Sequence, residues 1–367
     1  MKRLAILLMI LAIGADSLAQ GTDCGTKPGP FPLLIQKDKQ DSLNSILALN
    51  TPYCLRVFIT VFANDDGTNR AATDADVLRQ FQNMVDQYQA HNICFMLLNI
   101  KQVNSTDLNS HDADNEPTEL NPYKVSGCMN IFIHDVLYDN NGGLNGIAYA
   151  IPNTFLSLVR SAVSSTTNLT TMGHELGHCL GLYHTFETYY GTENVTRSAA
   201  NGCYNCTSAG DLVCDTPADD PTNPNSNVNA ACAYVGGRND PCGTSYSPQT
   251  NNIMTYGNRA CRTIFTANQG VRMRTIILIT PILSAIFADD IAYAPIIPNA
   301  SYSWNSGDSQ QTGRDQLIIS NYSNNSYIVN GTANQFIQSK KVTLKPGTHF
   351  APAAGGKVHI KVNPFCN

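Results

Sequence analysis

One eleven-residue stretch, His174-Glu175-Leu176-Gly177-His178-Cys179-Leu180-Gly181-Leu182-Tyr183-His184, constrains this chain more than any other part of it. On a helix, His174 and His178 lie one turn apart on the same face, so both imidazoles can reach one zinc ion at about 2.0–2.1 Å from each nitrogen. Glu175, rotated roughly 100° from His174, is close enough to hold the metal's water without binding the metal itself. Gly181 can adopt positive φ and end the helix, which brings His184 back as a third ligand. Three protein ligands leave a fourth position to water, the arrangement of a catalytic zinc rather than a structural one. The competing reading is a buried helix in a chain that has lost its activity, yet every position the chemistry requires is present.

The rest of the chain says where such a site would work. At 367 residues, and at about 150 residues per domain, two structural units or one large domain with appendages are expected. Hydrophobic residues make up 43% and charged residues 14%, which excludes the highly charged, weakly hydrophobic class of disordered chains. The net charge of −5 leaves no basic surplus for tracking phosphates, so nucleic acid is not an expected partner. Lys2 and Arg3 precede an apolar run from Leu4 to Ile13, and the small residues Ser17 and Ala19 suit a cut after Ala19, so residues 1–19 read as a secretory signal peptide. That run and a second one, Thr275 to Ala288, interrupted by Pro281, both fall short of the ~20 residues that span a bilayer. The expected location is therefore secreted, in an oxidising compartment where the twelve cysteines form disulfides.

Residues 20–51 read as a leader or pro-segment with one short helix over 41–49. From Cys54 the β-branched and aromatic run 55–62 predicts a strand, and Asp74 to Ala90 carries Val77, Phe81, Met84, Val85 and Tyr88 at helical spacing. Ile93 to Ile100, Met129 to Val136 and Ile147 to Ile151 repeat the strand signal. Leu169 to Leu182 predicts a helix capped by Asn168 or Thr170 and ended by Gly181, and Phe265 to Ile279 a helix opened by Thr266. Between them, 183–256 is rich in Asn, Gly, Pro and Cys and reads as stapled loop. The expected organisation is an α/β catalytic domain over 52–290 and a small all-β module over 291–367, with strand signals at 316–319, 327–329 and 357–362.

HELGHCLGLYH resembles the extended zinc signature of metzincin metallopeptidases, and its surroundings resemble the pappalysin (cytophagalysin) branch. His184-Thr185-Phe186-Glu187 and Gly210-Asp211-Leu212-Val213-Cys214-Asp215-Thr216-Pro217 are similar to that branch's loop. Asn252-Ile253-Met254-Thr255-Tyr256 resembles the metzincin Met-turn, with Phe265-Thr266 through Arg272-Met273 behind it. The resemblance is specific over about 170–275, looser over about 52–169, and says little about the last 77 residues. It implies a metzincin-like fold: a twisted sheet with a backing helix and an active-site helix above a loop-rich, disulfide-stapled lower half. It implies a zinc endopeptidase with protein or peptide substrates, held by His174, His178 and His184, with Glu175 as general base and acid. Met254 would form an apolar floor below the metal, and Tyr256 would donate to the oxyanion. Cys24-Gly25-Thr26 is similar to a leader element whose thiolate caps the zinc in some relatives; an ordinary disulfide is the alternative for Cys24. The resemblance further suggests Cys242 paired with Cys261, and calcium near Asp211 and Asp215, where solvated carboxylates are the default.

Cys179, on another face of the helix, is expected to be buried and inert; without it and Cys24, ten cysteines remain to pair. Cys203-x-x-Cys206 could hold a second zinc or form a redox pair, but disulfides are favoured in an exported loop. His91, His111, His134, His349 and His359 are isolated in sequence and receive no role. Val342 to Phe350 with Gly355 to His359 is similar to stacked-β modules at the C-termini of secreted bacterial proteins. Two other functions stay open: a non-catalytic adhesin on a metzincin scaffold, and a zinc amide hydrolase acting on cell-wall peptides.

Overall fold

Eleven residues, Tyr53–Ala63, form the strand β1 on which the main sheet is assembled. Val57, Ile59, Val61 and Phe62 are wholly buried, as expected of a parallel strand covered on both faces. The computed structural model describes residues 24–29, 52–114, 117–288, 291–294, 302–313, 316–319 and 326–361. The expected signal peptide and the helix over 41–49 lie outside the described residues.

After β1 come helix α1 (Asp74–Gln89), strand β2 (Ile93–Asn104), the short helix α2 (Thr106–Asn109), β3 (Ser110–Asp112), β4 (Met129–His134), β5 (Val136–Asp139), β6 (Gly142–Gly143), β7 (Gly146–Ala148) and β8 (Phe155–Val159). The main sheet has the order β2-β1-β4-β8-β7, parallel except for β7, which runs antiparallel to β8 and forms one edge. The run expected as one strand over 129–136 divides at Asp135: β4 stays in the main sheet while β5 leaves it to pair with β3 and β6. β8 carries a five-residue signal too short to stand out in the sequence, and the following helix α3 (Arg160–Ser164) is equally brief.

Thr73 caps α1 by accepting from the Asp76 amide. Its apolar stripe of Val77, Phe81, Met84 and Tyr88 is buried against the sheet, and the Tyr88 hydroxyl donates to Gly173 O at 2.7 Å. Gly173 lies on α4 (Thr171–Cys179), so the backing helix fixes the next helix directly. Thr266 and Gln269 form a reciprocal capping box at the start of α5 (Ala267–Ile279), and Pro281 opens the short α6 (Pro281–Ser284), the exit expected there. Beyond it, β9 (Ile291–Ala294), β10 (Tyr302–Thr312), β11 (Gln316–Ile319), β12 (Tyr327–Gln338), β13 (Val342–Leu344), β14 (Thr348–Pro352) and β15 (Lys357–Lys361) pair in parallel in two sheets. Leu317, Ile319, Tyr327, Val329 and Ile337 fill the space between them.

The staples differ from expectation. Cys242 pairs with Cys203, not with Cys261, which pairs with Cys232; Cys206 pairs with Cys214. The path of the loop decides this, since it brings Cys232 and Cys261 to a Cα separation of 5.5 Å. Cys203 and Cys206 therefore form neither a metal site nor a bridge with each other. Cys54 and Cys94, register partners on β1 and β2, form the fourth bridge. Eight cysteines are thus paired among the described residues, Cys128 joins Cys24 and Cys179 as a buried free thiol, and Cys366 lies outside the described residues.

Two histidines given no role prove to be far from isolated. His111 and His134 stack at 4.8 Å, and a chain of bonds runs from His111 through Tyr149 and Ser157 to His134, joining β3, β4 and β8. Burial pushes His111 down to about 4 and His134 to about 3. In the unfolded chain both titrate near 6.5, so below that pH the unfolded state binds more protons and stability falls as pH falls. Each histidine contributes a slope of about 1.4 kcal/mol per pH unit in this window. Denaturation midpoints measured between pH 7 and pH 4 are expected to fall, and His134→Gln is expected to make that slope markedly shallower whatever it does to absolute stability.

Candidate active site

All nine residues of α4 are buried. Gly177 permits one close contact: a Cβ there would stand 2.7 Å from Met254 Sδ. The helix ends because Gly181 turns with φ of +92°, a conformation other residues avoid, and the Leu182 amide returns to Gly177 O at 2.9 Å. This reversal aims the Leu182 carbonyl at His178 and returns His184 toward His174 and His178.

His174 Nδ1 lies 2.7 Å from the Ile253 carbonyl, and His178 Nδ1 lies 2.8 Å from that of Leu182. A carbonyl only accepts, so each Nδ1 carries the proton and each Nε2 presents a lone pair. Those two Nε2 atoms lie 3.3 and 3.1 Å from His184 Nε2. One proton on His184 cannot satisfy both, whereas the corners of a tetrahedron around zinc, with bonds of about 2.05 Å, are about 3.3 Å apart. The donor set therefore fits a zinc ion. Burial lowers all three imidazole pKa values, His178 to about 4, which keeps the rings in the neutral form a metal requires.

Residues 24–29 lie in the same cleft. Cys24 Sγ is within 4.8 Å of the donor atoms of all three histidines and donates to Glu175 Oε2 at 3.3 Å. Burial, and then the Glu175 carboxylate, push this thiol well above its ordinary pKa. Thr26 Oγ1 donates to the same Glu175 oxygen at 3.0 Å and accepts from the Ala148 amide at 2.8 Å. The Gly25 amide donates to Gly146 O at 3.0 Å, so the segment is bonded to the edge strand β7. Gly25 packs closely on β7 and its approach, since a Cβ there would stand 2.6 Å from Leu144 Cδ1 and require that side chain to shift. The Tyr256 hydroxyl donates to Cys24 O at 2.9 Å.

Met254 is wholly buried, and its turn is held by Asn252, whose amide exchanges bonds with Gln269 of α5. Sequence reasoning missed two supports. Thr26 follows a noted Cys-Gly pair but received no role of its own. Asp219 accepts from Thr185 at 2.6 Å and Thr255 at 3.1 Å, tying the segment after His184 to the turn after Met254, and no spacing signal marks it. Cys179 is wholly buried, its thiol facing Phe155 O. Of the two aspartates expected near calcium, Asp215 accepts from Thr266 Oγ1 and the Asn268 amide at the start of α5. Asp211 is buried beside Glu193; burial raises the two carboxyls to about 7 and about 8, with mutual repulsion adding to the shift of Glu193. Glu193 also pairs with Arg197 at 2.8 Å.

The family model described as pregnancy-associated plasma protein-A, Peptidase_M43, matches residues 112–278. An extracellular metalloprotease of Colletotrichum graminicola is 30% identical over 234 residues, covering 59% of this chain and 72% of that protein. Extracellular metalloprotease 1 of Coccidioides posadasii is 25% identical over 292 residues, 74% of this chain and 94% of that protein. Pappalysin-1 of Homo sapiens is 36% identical over 108 residues, 28% of this chain but only 6% of that much longer protein. Among solved structures, mature mirolysin of Tannerella forsythia in complex with a cleaved peptide aligns with 64% of this chain and 96% of its own, at 20% identity and a TM-score of 0.47. With a relative of this identity and coverage, a matching family model and three imidazoles converging as zinc requires, the chain belongs to the pappalysin family of zinc metallopeptidases.

Proposed function

We propose that this protein is a secreted zinc endopeptidase made as a latent precursor, in which His174, His178 and His184 hold the metal and Glu175 handles the proton. The observation that carries the proposal is the convergence of the three Nε2 atoms in a cleft whose neighbouring carboxylate, Glu175, faces the segment lying in it. When bound, the ion polarises the scissile carbonyl and acidifies a water. Glu175 takes the water's proton and returns one to the leaving amine. The Tyr256 hydroxyl, here bonded to a backbone carbonyl beside the histidines, donates to the oxygen on which negative charge develops. Met254 packs against Gly177 and fixes the helix under the imidazoles.

Secretion is supported by the signal-like residues 1–19, the four disulfides and the relatives named as extracellular enzymes. Latency is supported by Cys24, whose sulfur lies within 4.8 Å of the donor atoms of the three histidines; a thiolate bound to the ion would displace the water that the reaction needs. Residues 20–51 are accordingly the pro-segment, 52–290 the catalytic domain and 291–367 a β-module that adds no chemistry of its own. Of the two aspartates named for calcium, Asp215 spends its oxygens on the cap of α5.

Purified leader-trimmed protein is expected to contain one zinc per chain and to digest denatured protein until a chelator is added. Glu175→Gln is expected to keep the zinc and lose roughly 10²–10⁴-fold or more in rate; full activity in that variant overturns the mechanism. Cell-wall peptides cleaved in preference to denatured protein would move the assignment to an amide hydrolase, and bound zinc without any cleavage to a binding protein. The untrimmed Cys24→Ala precursor is expected to cleave at least tenfold faster than the wild-type precursor at equal zinc content, and an unchanged basal rate removes Cys24 as the latency element.

A further inference from the structure

The segment in the cleft also shows what side chain the enzyme can grip beyond the metal. It is anchored at one end by the Gly25 amide on Gly146 O of β7, and at the other by Gly29 O, which accepts from the hydroxyls of Tyr183 at 2.8 Å and Tyr190 at 3.2 Å. Between these anchors Lys27 places its ammonium 2.6 Å from Asp114 Oδ1. The carboxylate it meets is positioned in advance. Asn140 donates to Asp114 Oδ2 through its side chain at 3.0 Å, the Asp114 amide is held by Asp112 Oδ1 at 3.1 Å, and Asp139 adds its charge to the field at Lys27. With Lys27 in place, 17% of the Asp114 side chain is exposed, while the lysine is mostly in water.

An edge strand offers its unpaired backbone groups to any extended chain, and a substrate that bonds to β7 as Gly25 and Thr26 do starts along the same line. Three residues of extended chain cover about 10 Å. A substrate residue three positions from the metal therefore comes to the place Lys27 occupies. We propose that Asp114 is a specificity-determining residue whose carboxylate, vacated when the leader departs, selects a lysine or arginine side chain three residues from the scissile bond. This deepens the peptidase reading and rests on it. Lys27 is the leader's own copy of the preferred group, so leader and substrate compete for one subsite as well as for the metal.

The test has one arm that needs no catalysis. Synthetic Cys-Gly-Thr-Lys-Pro-Gly and its glutamine analogue at the lysine position are titrated against leader-trimmed, zinc-loaded Glu175→Gln protein. The lysine peptide is expected to bind roughly three- to tenfold more tightly, the range of a partly shielded ion pair, and Asp114→Asn is expected to abolish the difference. Equal affinities in the Glu175→Gln background overturn the proposal. In the second arm, the cut sites of active wild-type enzyme on denatured protein are sequenced. Enrichment of Lys and Arg at the third residue on one side of the cut, lost in Asp114→Asn with the change in KM rather than kcat, supports it. A flat distribution there, or enrichment that survives Asp114→Asn, overturns it. Absence of all cleavage would refute the peptidase reading, while the binding arm would still decide whether Asp114 selects a cation.

Discussion

Two backbone carbonyls decide whether this site can exist. Ile253 O and Leu182 O each hold the Nδ1 of one histidine, which fixes the tautomer and leaves both Nε2 lone pairs directed at His184. Such outer partners are worth about 10- to 100-fold in metal affinity. The Leu182 carbonyl is in place only because Gly181 reverses the chain, and the Ile253 carbonyl only because the turn through Asn252 and Met254 is locked to α5 by Gln269. The imidazoles thus depend on two parts of the chain about seventy residues apart, held together by Asp219 and by the Thr185 amide on Met254 O.

The sheet contributes through its edge. β7 runs antiparallel to its neighbour and leaves Gly146 O and the Ala148 amide facing the cleft, where residues 25 and 26 take both. Gly146 has to be glycine for another reason: a Cβ there would stand 2.7 Å from Glu175 Cγ. The edge strand and the Glu175 carboxylate are therefore packed in contact, and a chain bonded to one is presented to the other. Thr26 uses that proximity by bonding to both at once.

Much of this was legible before any coordinates. The central strand over 55–62 carried a β-branched and aromatic run, the helix over 74–90 apolar residues at helical spacing and the helix over 265–279 a cap at Thr266, and each formed with bounds close to expectation. β8 was not legible, because five residues flanked by polar turns carry too little pattern. The division of 129–136 into two strands in different sheets depends on which neighbour accepts each half, and no local signal encodes it. The same holds for His111 and His134, separated in sequence and stacked in the core.

The sequence by itself marked the donor set: the spacing of His174 and His178, the adjacent Glu175 and a glycine able to turn the chain toward His184 place these groups within one helical turn and one reversal of each other. It also marked Cys24-Gly25-Thr26 as a segment of interest. Only the tertiary structure decided which cysteines pair, because a loop's path and not its cysteine spacing sets which Cα atoms come within bridging distance. Only the tertiary structure placed Thr26 on Glu175, Asp219 between two threonines and Asp114 beneath Lys27. These are contacts between residues far apart in sequence, with a separation of 149 for Thr26 and Glu175, and a pattern that repeats every two or 3.6 residues carries no information at that range.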